Sequence, residues 1–101
     1  MKKISIKPES YFRVLEGTSR SQVAEMVLAP GQSTGGSDNM HPESDQWLYV
    51  VSGEGEARVE NKSIKIKAGD LLLIEKGETH EIVNDGVKPL KTFNIYAPLE
   101  Y

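Results

Sequence analysis

Turn signals recur along this chain roughly every 8–12 residues, and that punctuation leaves no room for a convincing helix. Pro8, Pro30, Gly31, Gly53, Gly55, Gly69, Gly77, Gly86 and Pro98 break the sequence into short apolar runs. The pattern predicts strands over residues 4–6, 11–15, 23–28, 47–51, 71–74, 80–84 and 90–96. It also predicts a hairpin joining 57–59 to 64–66 through Asn61, a residue that tolerates the left-handed conformation. At 23–28 a short helix is the alternative, and 71–74 reads as a buried strand. The expected architecture is an all-β sandwich or barrel of roughly eight to eleven strands. Residues 30–38, rich in Gly, Ser and Thr, read as a loop at its rim.

The chain has two histidines, His41 and His80, and each lies in a distinctive stretch. On a strand, residues i and i+2 share a face, so Asn39 and His41 aim together into a cavity that Gln46 and His80 enter from neighbouring positions. Both stretches have the spacing of a known pair of motifs. The second carries Gly69, Gly77, His80 and Asn84, with Glu75 where proline is usual. The first carries Asn39, His41, Gln46 and Gly53 where the pattern has histidine, histidine, glutamate and glycine, and Ser33 stands at its leading glycine.

Residues 33–84, about half of the chain, therefore resemble the cupin family of small β-barrels. The resemblance implies an all-β, double-stranded β-helix (jelly-roll) barrel formed as a single domain by residues 1–101. It further implies a divalent metal ion held by His41, His80, Gln46 and Asn39, and pairing of subunits. Family members include dioxygenases, sugar isomerases and epimerases. The implied function is binding of the metal and a small oxygen-bearing molecule, as in a metal-dependent dioxygenase or isomerase-like enzyme. The alternative is a non-catalytic module that binds a small metabolite, with Asn39 and Gln46 acting as hydrogen-bonding amides. No residue identifies a substrate or a catalytic role.

Two imidazoles with oxygen donors suit manganese, iron, nickel or zinc. The amides of Asn39 and Gln46 are neutral and weaker ligands than the histidine and glutamate they replace. Glu43 is a rival ligand, two residues from His41, but Pro42 between them marks the point where strand gives way to loop. Asp38, Glu43 and Asp45 accordingly read as solvated rim charges. Glu75 and Glu78 fall in a turn, and Glu81 has outward parity. No Gly-x-Ser-x-Gly or Gly-Lys-Ser/Thr setting is present, so neither a serine nucleophile nor a phosphate cradle is expected.

Charged residues make up 27% of the 101 positions and the formal net charge is −3, which excludes a basic nucleic-acid footprint. With no cysteine, thiolate ligands and disulfides are excluded. Met1-Lys2-Lys3 is followed by a polar stretch rather than an apolar run, and nothing approaches transmembrane length, so the chain reads as cytoplasmic with no membrane partner. Trp47, Tyr49 and Val51 have parity opposite to Gln46. They either pack on a second sheet or form the face of a homodimer, and the latter is expected for so small a chain.

Overall fold

The computed structural model describes residues 1–35 and 40–101, and among these there is no helix. Eight strands form: β1 (Phe12–Gly17), β2 (Gln22–Leu28), β3 (Asp45–Ser52), β4 (Glu54–Val59), β5 (Lys62–Lys67), β6 (Leu71–Ile74), β7 (His80–Val83) and β8 (Leu90–Ala97). They make two antiparallel sheets, one ordered β1-β2-β8-β3-β6 and the other β5-β4-β7. The first alternative for 23–28, a strand, is therefore the one adopted. No described helix is long and apolar enough to cross a membrane.

β8 is the central strand of the larger sheet, and its alternation shows how the interior is made. Leu90, Thr92, Asn94 and Tyr96 are buried, while the residues between them are only half-buried. Its register with both neighbours places Gln22, Tyr96 and Gln46 on one rung, and Leu28 beside Leu90 three rungs of the inner face away. The interior is consequently apolar at one end, where Leu28, Leu48, Val50, Ile66, Ile82 and Leu90 pack together, and polar at the other.

Two turns fix this arrangement locally. Glu60 and Asn61 both take positive φ, the conformation a two-residue hairpin requires, so β4 and β5 pair as expected. Gly53, at φ 87°, must be glycine for a second reason: a Cβ there would lie 2.3 Å from the Pro89 carbonyl oxygen.

Two expectations are corrected. Residues 4–6 form no strand, and the chain that follows them is held at residues 9 and 10 from the outside of β2. Glu25, fully buried, accepts hydrogen bonds from the backbone N–H groups of Glu9 and Ser10 at 2.7 Å each. It also takes one from Arg13 at 2.8 Å. Residues 71–74 are not buried throughout. β6 is an edge strand, with Ile74 buried and Leu71 and Leu73 facing outward, Leu71 at 58% exposure.

Candidate functional site

The polar end of the interior opens into a cavity of about 340 Å³ lined by the apolar side chains of Phe12, Met26 and Ile82 and by His41, Gln46, His80, Tyr96 and Glu100. A larger hollow, about 580 Å³, lies among Glu54, Lys65, Lys67 and Asp85, but it is a surface groove whose Lys65 and Asp85 neutralise each other. The histidines mark the smaller cavity as the candidate site.

The two motif stretches meet there through the backbone. Gly77, at φ 80° in the turn before β7, donates its N–H to the His41 carbonyl at 2.8 Å. Nearby, Lys76 donates its N–H to Asp45 Oδ1 at 3.0 Å. Asp45 is thus a half-buried bracket for this turn and not the solvated rim charge expected of it. These bonds set the imidazoles of His41 and His80 with ring centroids 4.9 Å apart.

His80 projects from the first position of β7 and is 6% exposed. Its Nδ1 lies 3.2 Å from the Glu78 carbonyl oxygen, which can only accept, so Nδ1 carries the proton and Nε2 the lone pair. Burial holds this imidazole below its ordinary pKa; the Glu78 bond offsets part of that, and His41 adds to the lowering. His80 is therefore neutral at pH 7, with a lone pair available to a ligand.

Gln46 is oriented by a chain of bonds anchored at a backbone carbonyl. Met26 C=O can only accept, so the Thr92 hydroxyl donates to it at 3.3 Å and must itself accept from Asn94 Nδ2, also at 3.3 Å. That leaves Asn94 Oδ1 to accept from Gln46 Nε2 at 3.0 Å. Gln46 Oε1 is then turned toward His41 Nε2, 3.1 Å away. The other ring nitrogen of His41, Nδ1, lies 3.1 Å from Glu100 Oε1. His41 thus faces an acceptor on each side, and a neutral imidazole has only one N–H. Either a second proton or a cation must satisfy the remaining contact.

Aromatic rings close one side of the site. Tyr101 packs on Tyr96 at 5.2 Å and on Phe12 at 4.8 Å, and Tyr96 meets His41 edge-on at 5.3 Å. Burial pushes the Tyr96 phenol well above its ordinary pKa, so it stays protonated and is no general base.

Of the four sequence-predicted ligands, His41, His80 and Gln46 are brought together. Asn39, like Asp38, lies outside the described residues. Glu43 is exposed and does not line the cavity, in keeping with a rim charge. Glu81 faces outward and pairs with Arg58. Among the described residues, no three of His, Asp and Glu converge to hold a metal ion. A cation at this site would therefore draw on the Gln46 amide oxygen. Asn94, Tyr96 and Glu100 were not anticipated. The first two are legible as polar residues on the inward parity of β8; Glu100 carries no sequence signal.

A model of the cupin domain matches residues 24–96, which takes in both motif stretches and strands of both sheets, though not β1. The chain belongs to the cupin family. Similar proteins include the tetracenomycin polyketide synthase protein TcmJ of Streptomyces glaucescens, 29% identical over 82% of this chain and 54% of that protein. The oxalate-binding protein of Thermotoga maritima is 38% identical over 62% of this chain and 50% of its own length. The chain spans about half the length of these two relatives. Among solved structures, the Bacillus halodurans protein BH2720 superposes with a TM-score of 0.86 at 28% identity, covering 91% of this cupin and 73% of that chain.

Proposed function

We propose that this cupin binds a divalent metal ion through His41 Nε2, His80 Nε2 and Gln46 Oε1, together with a small oxygen-bearing molecule. Asn39 stands at the fourth position of the pattern. The observation that carries this reading is the pair of acceptors around His41. With Nδ1–H given to Glu100, the Nε2 lone pair faces the Gln46 oxygen at 3.1 Å, an arrangement that a cation beside both, or a second proton on the ring, would satisfy. Two donors each about 2.1 Å from a common ion and at right angles, as in octahedral coordination, would stand about 3 Å apart, which the His41–Gln46 pair matches. Bound there, a divalent ion supplies Lewis acidity to an oxygen-bearing ligand.

The ligand set contains no carboxylate, so the ion keeps most of its charge and favours an anionic ligand such as a small carboxylate. The similarity to an oxalate-binding protein supports the same class. A metal-dependent dioxygenase or isomerase-like activity would use this site. The second reading, a non-catalytic binding module, is favoured by the neutral Gln46 amide, which can hydrogen-bond a metabolite as readily as it ligates.

Titration calorimetry on chelator-stripped protein at pH 7.5 with Mn²⁺, Fe²⁺, Ni²⁺ and Zn²⁺ separates the two. The expected result is one site per chain, insensitive to Glu43→Ala, to which oxalate then binds. Oxalate binding without any metal uptake would leave the module reading in place.

We also propose a homodimer through the outer face of the larger sheet. There Trp47 pairs with Leu73 and Ile95, and Tyr49 with Leu71 and Phe93, making an apolar strip across three strands. Light scattering at micromolar concentration should give twice the chain mass, and Leu71→Lys should halve it.

A further inference from the structure

Residues 98–101, which follow β8, are fastened to the barrel by two buried side chains that have no other bonded partners among the described residues. Ser44 donates its hydroxyl to the Pro98 carbonyl at 2.7 Å. Gln22, 6% exposed, directs both its amide oxygen and its amide nitrogen to this segment. Its Oε1 accepts from the N–H groups of Glu100 and Tyr101 at 3.3 and 2.8 Å, and its Nε2 donates to the Tyr101 carbonyl at 2.8 Å. Gln22 shares a rung with Tyr96 and Gln46, so the clamp sits beside the cavity wall. The Tyr101 ring, packed on Phe12 and Tyr96, adds a third fastening. Between these points Glu100 extends its carboxylate to His41 Nδ1.

We infer that Glu100 is a positioning residue for His41: delivered by the Gln22 clamp, it accepts the hydrogen bond from Nδ1–H and so leaves the Nε2 lone pair facing the cavity. The choice between the two neutral tautomers follows from the acceptors. A hydrogen bond to a carboxylate is roughly twice as strong as one to a neutral amide, so the proton goes to the Glu100 side and not the Gln46 side. This role deepens the metal reading and rests on it for its consequence. A carboxylate behind a ligating imidazole fixes the ring and raises its basicity, and loss of such a group costs roughly ten- to a hundredfold in metal affinity.

The test uses the full chain labelled with ¹⁵N, free of metal, at pH 8.5. Two-bond nitrogen–proton spectra should report His41 as the Nδ1–H tautomer in the wild type. Glu100→Ala should lose that preference, Glu100→Gln, which keeps an acceptor oxygen, should retain part of it, and Gln22→Ala should reproduce the loss without touching His41. In parallel, Glu100→Ala should weaken Zn²⁺ binding roughly ten- to a hundredfold. An Nε2–H tautomer in the wild type, or Glu100→Ala unchanged in both readouts with an intact β-sheet spectrum, would overturn the inference. The two claims fail separately: a wild type that takes up no metal but keeps the Glu100-dependent tautomer removes the metal reading and leaves the positioning role standing.

Discussion

Asn84 and His80 belong to the same motif, lie four residues apart with inward parity, and are both buried, yet they sit at opposite ends of the interior and behave differently. Asn84 spends its amide on the chain: Nδ2 donates to the carbonyls of Leu28 and Lys88, and Oδ1 accepts from Gly86 N–H. His80 makes one bond, from Nδ1, and its Nε2 has no protein partner among the described residues. Around Asn84 the partners are backbone groups; around His80 are the cavity residue Gln46 and the ring of His41. A polar residue with every valence used holds a fold together. One with a valence to spare makes a site.

If that division is right, the largest effect on stability should come from Asn84→Ala, which removes the partner of the buried Leu28 carbonyl and of the less buried Lys88 carbonyl and Gly86 N–H. At about 1–3 kcal/mol for each unsatisfied group, partly relieved by water, a loss of about 3 kcal/mol is expected in urea unfolding, with metal uptake retained. His80→Ala should do the reverse, sharply reducing metal uptake while changing stability by less than about 1 kcal/mol, because its side chain borders an open cavity. Comparable stability losses for the two variants would erase the distinction between the ends.

A smaller effect sharpens the same point on the outside of β2. Burial by itself pushes the Glu25 carboxyl up, but the N–H groups of Ser10 and Glu9 and the Arg13 guanidinium more than offset it, and its pKa is lowered. A carboxylate with a depressed folded-state pKa contributes stability that is fully present above its unfolded value near 4.5 and is lost as pH falls below that. The stability gap between wild type and Glu25→Gln should therefore be widest at pH 7 and narrow below about pH 4.5. A gap that does not change with pH would mean the charge contributes nothing.

The positions of the strands were largely legible because turn chemistry is local. Asn61 needs only its own positive φ to set β4 and β5 in place, and Gly53 supplies a positive φ of its own, although its contact with Pro89 is not local. Inward parity likewise marked Gln46, Leu48 and Val50, and the spacing of the motifs marked His41 and His80. Residues 4–6 misled because alternation alone does not say whether a segment will find a partner strand; here β1 is the strand that pairs with β2, and Glu25 holds residues 9 and 10. Leu71 to Ile74 misled because an apolar run looks the same whether both faces are covered or one awaits a partner. Glu100 was beyond reach for a different reason. Its role depends on a clamp from Gln22, 78 positions earlier, and that contact exists only after the barrel has formed.

The central claim is that His41 and His80 present their Nε2 lone pairs to one ion, and pulsed electron paramagnetic resonance of Mn²⁺-loaded protein at pH 7.5 tests it directly by counting coupled imidazole nitrogens. The account predicts two such nitrogens in the wild type and one in whatever ion remains bound to His80→Ala. Bound Mn²⁺ with no imidazole coupling in the wild type would contradict it.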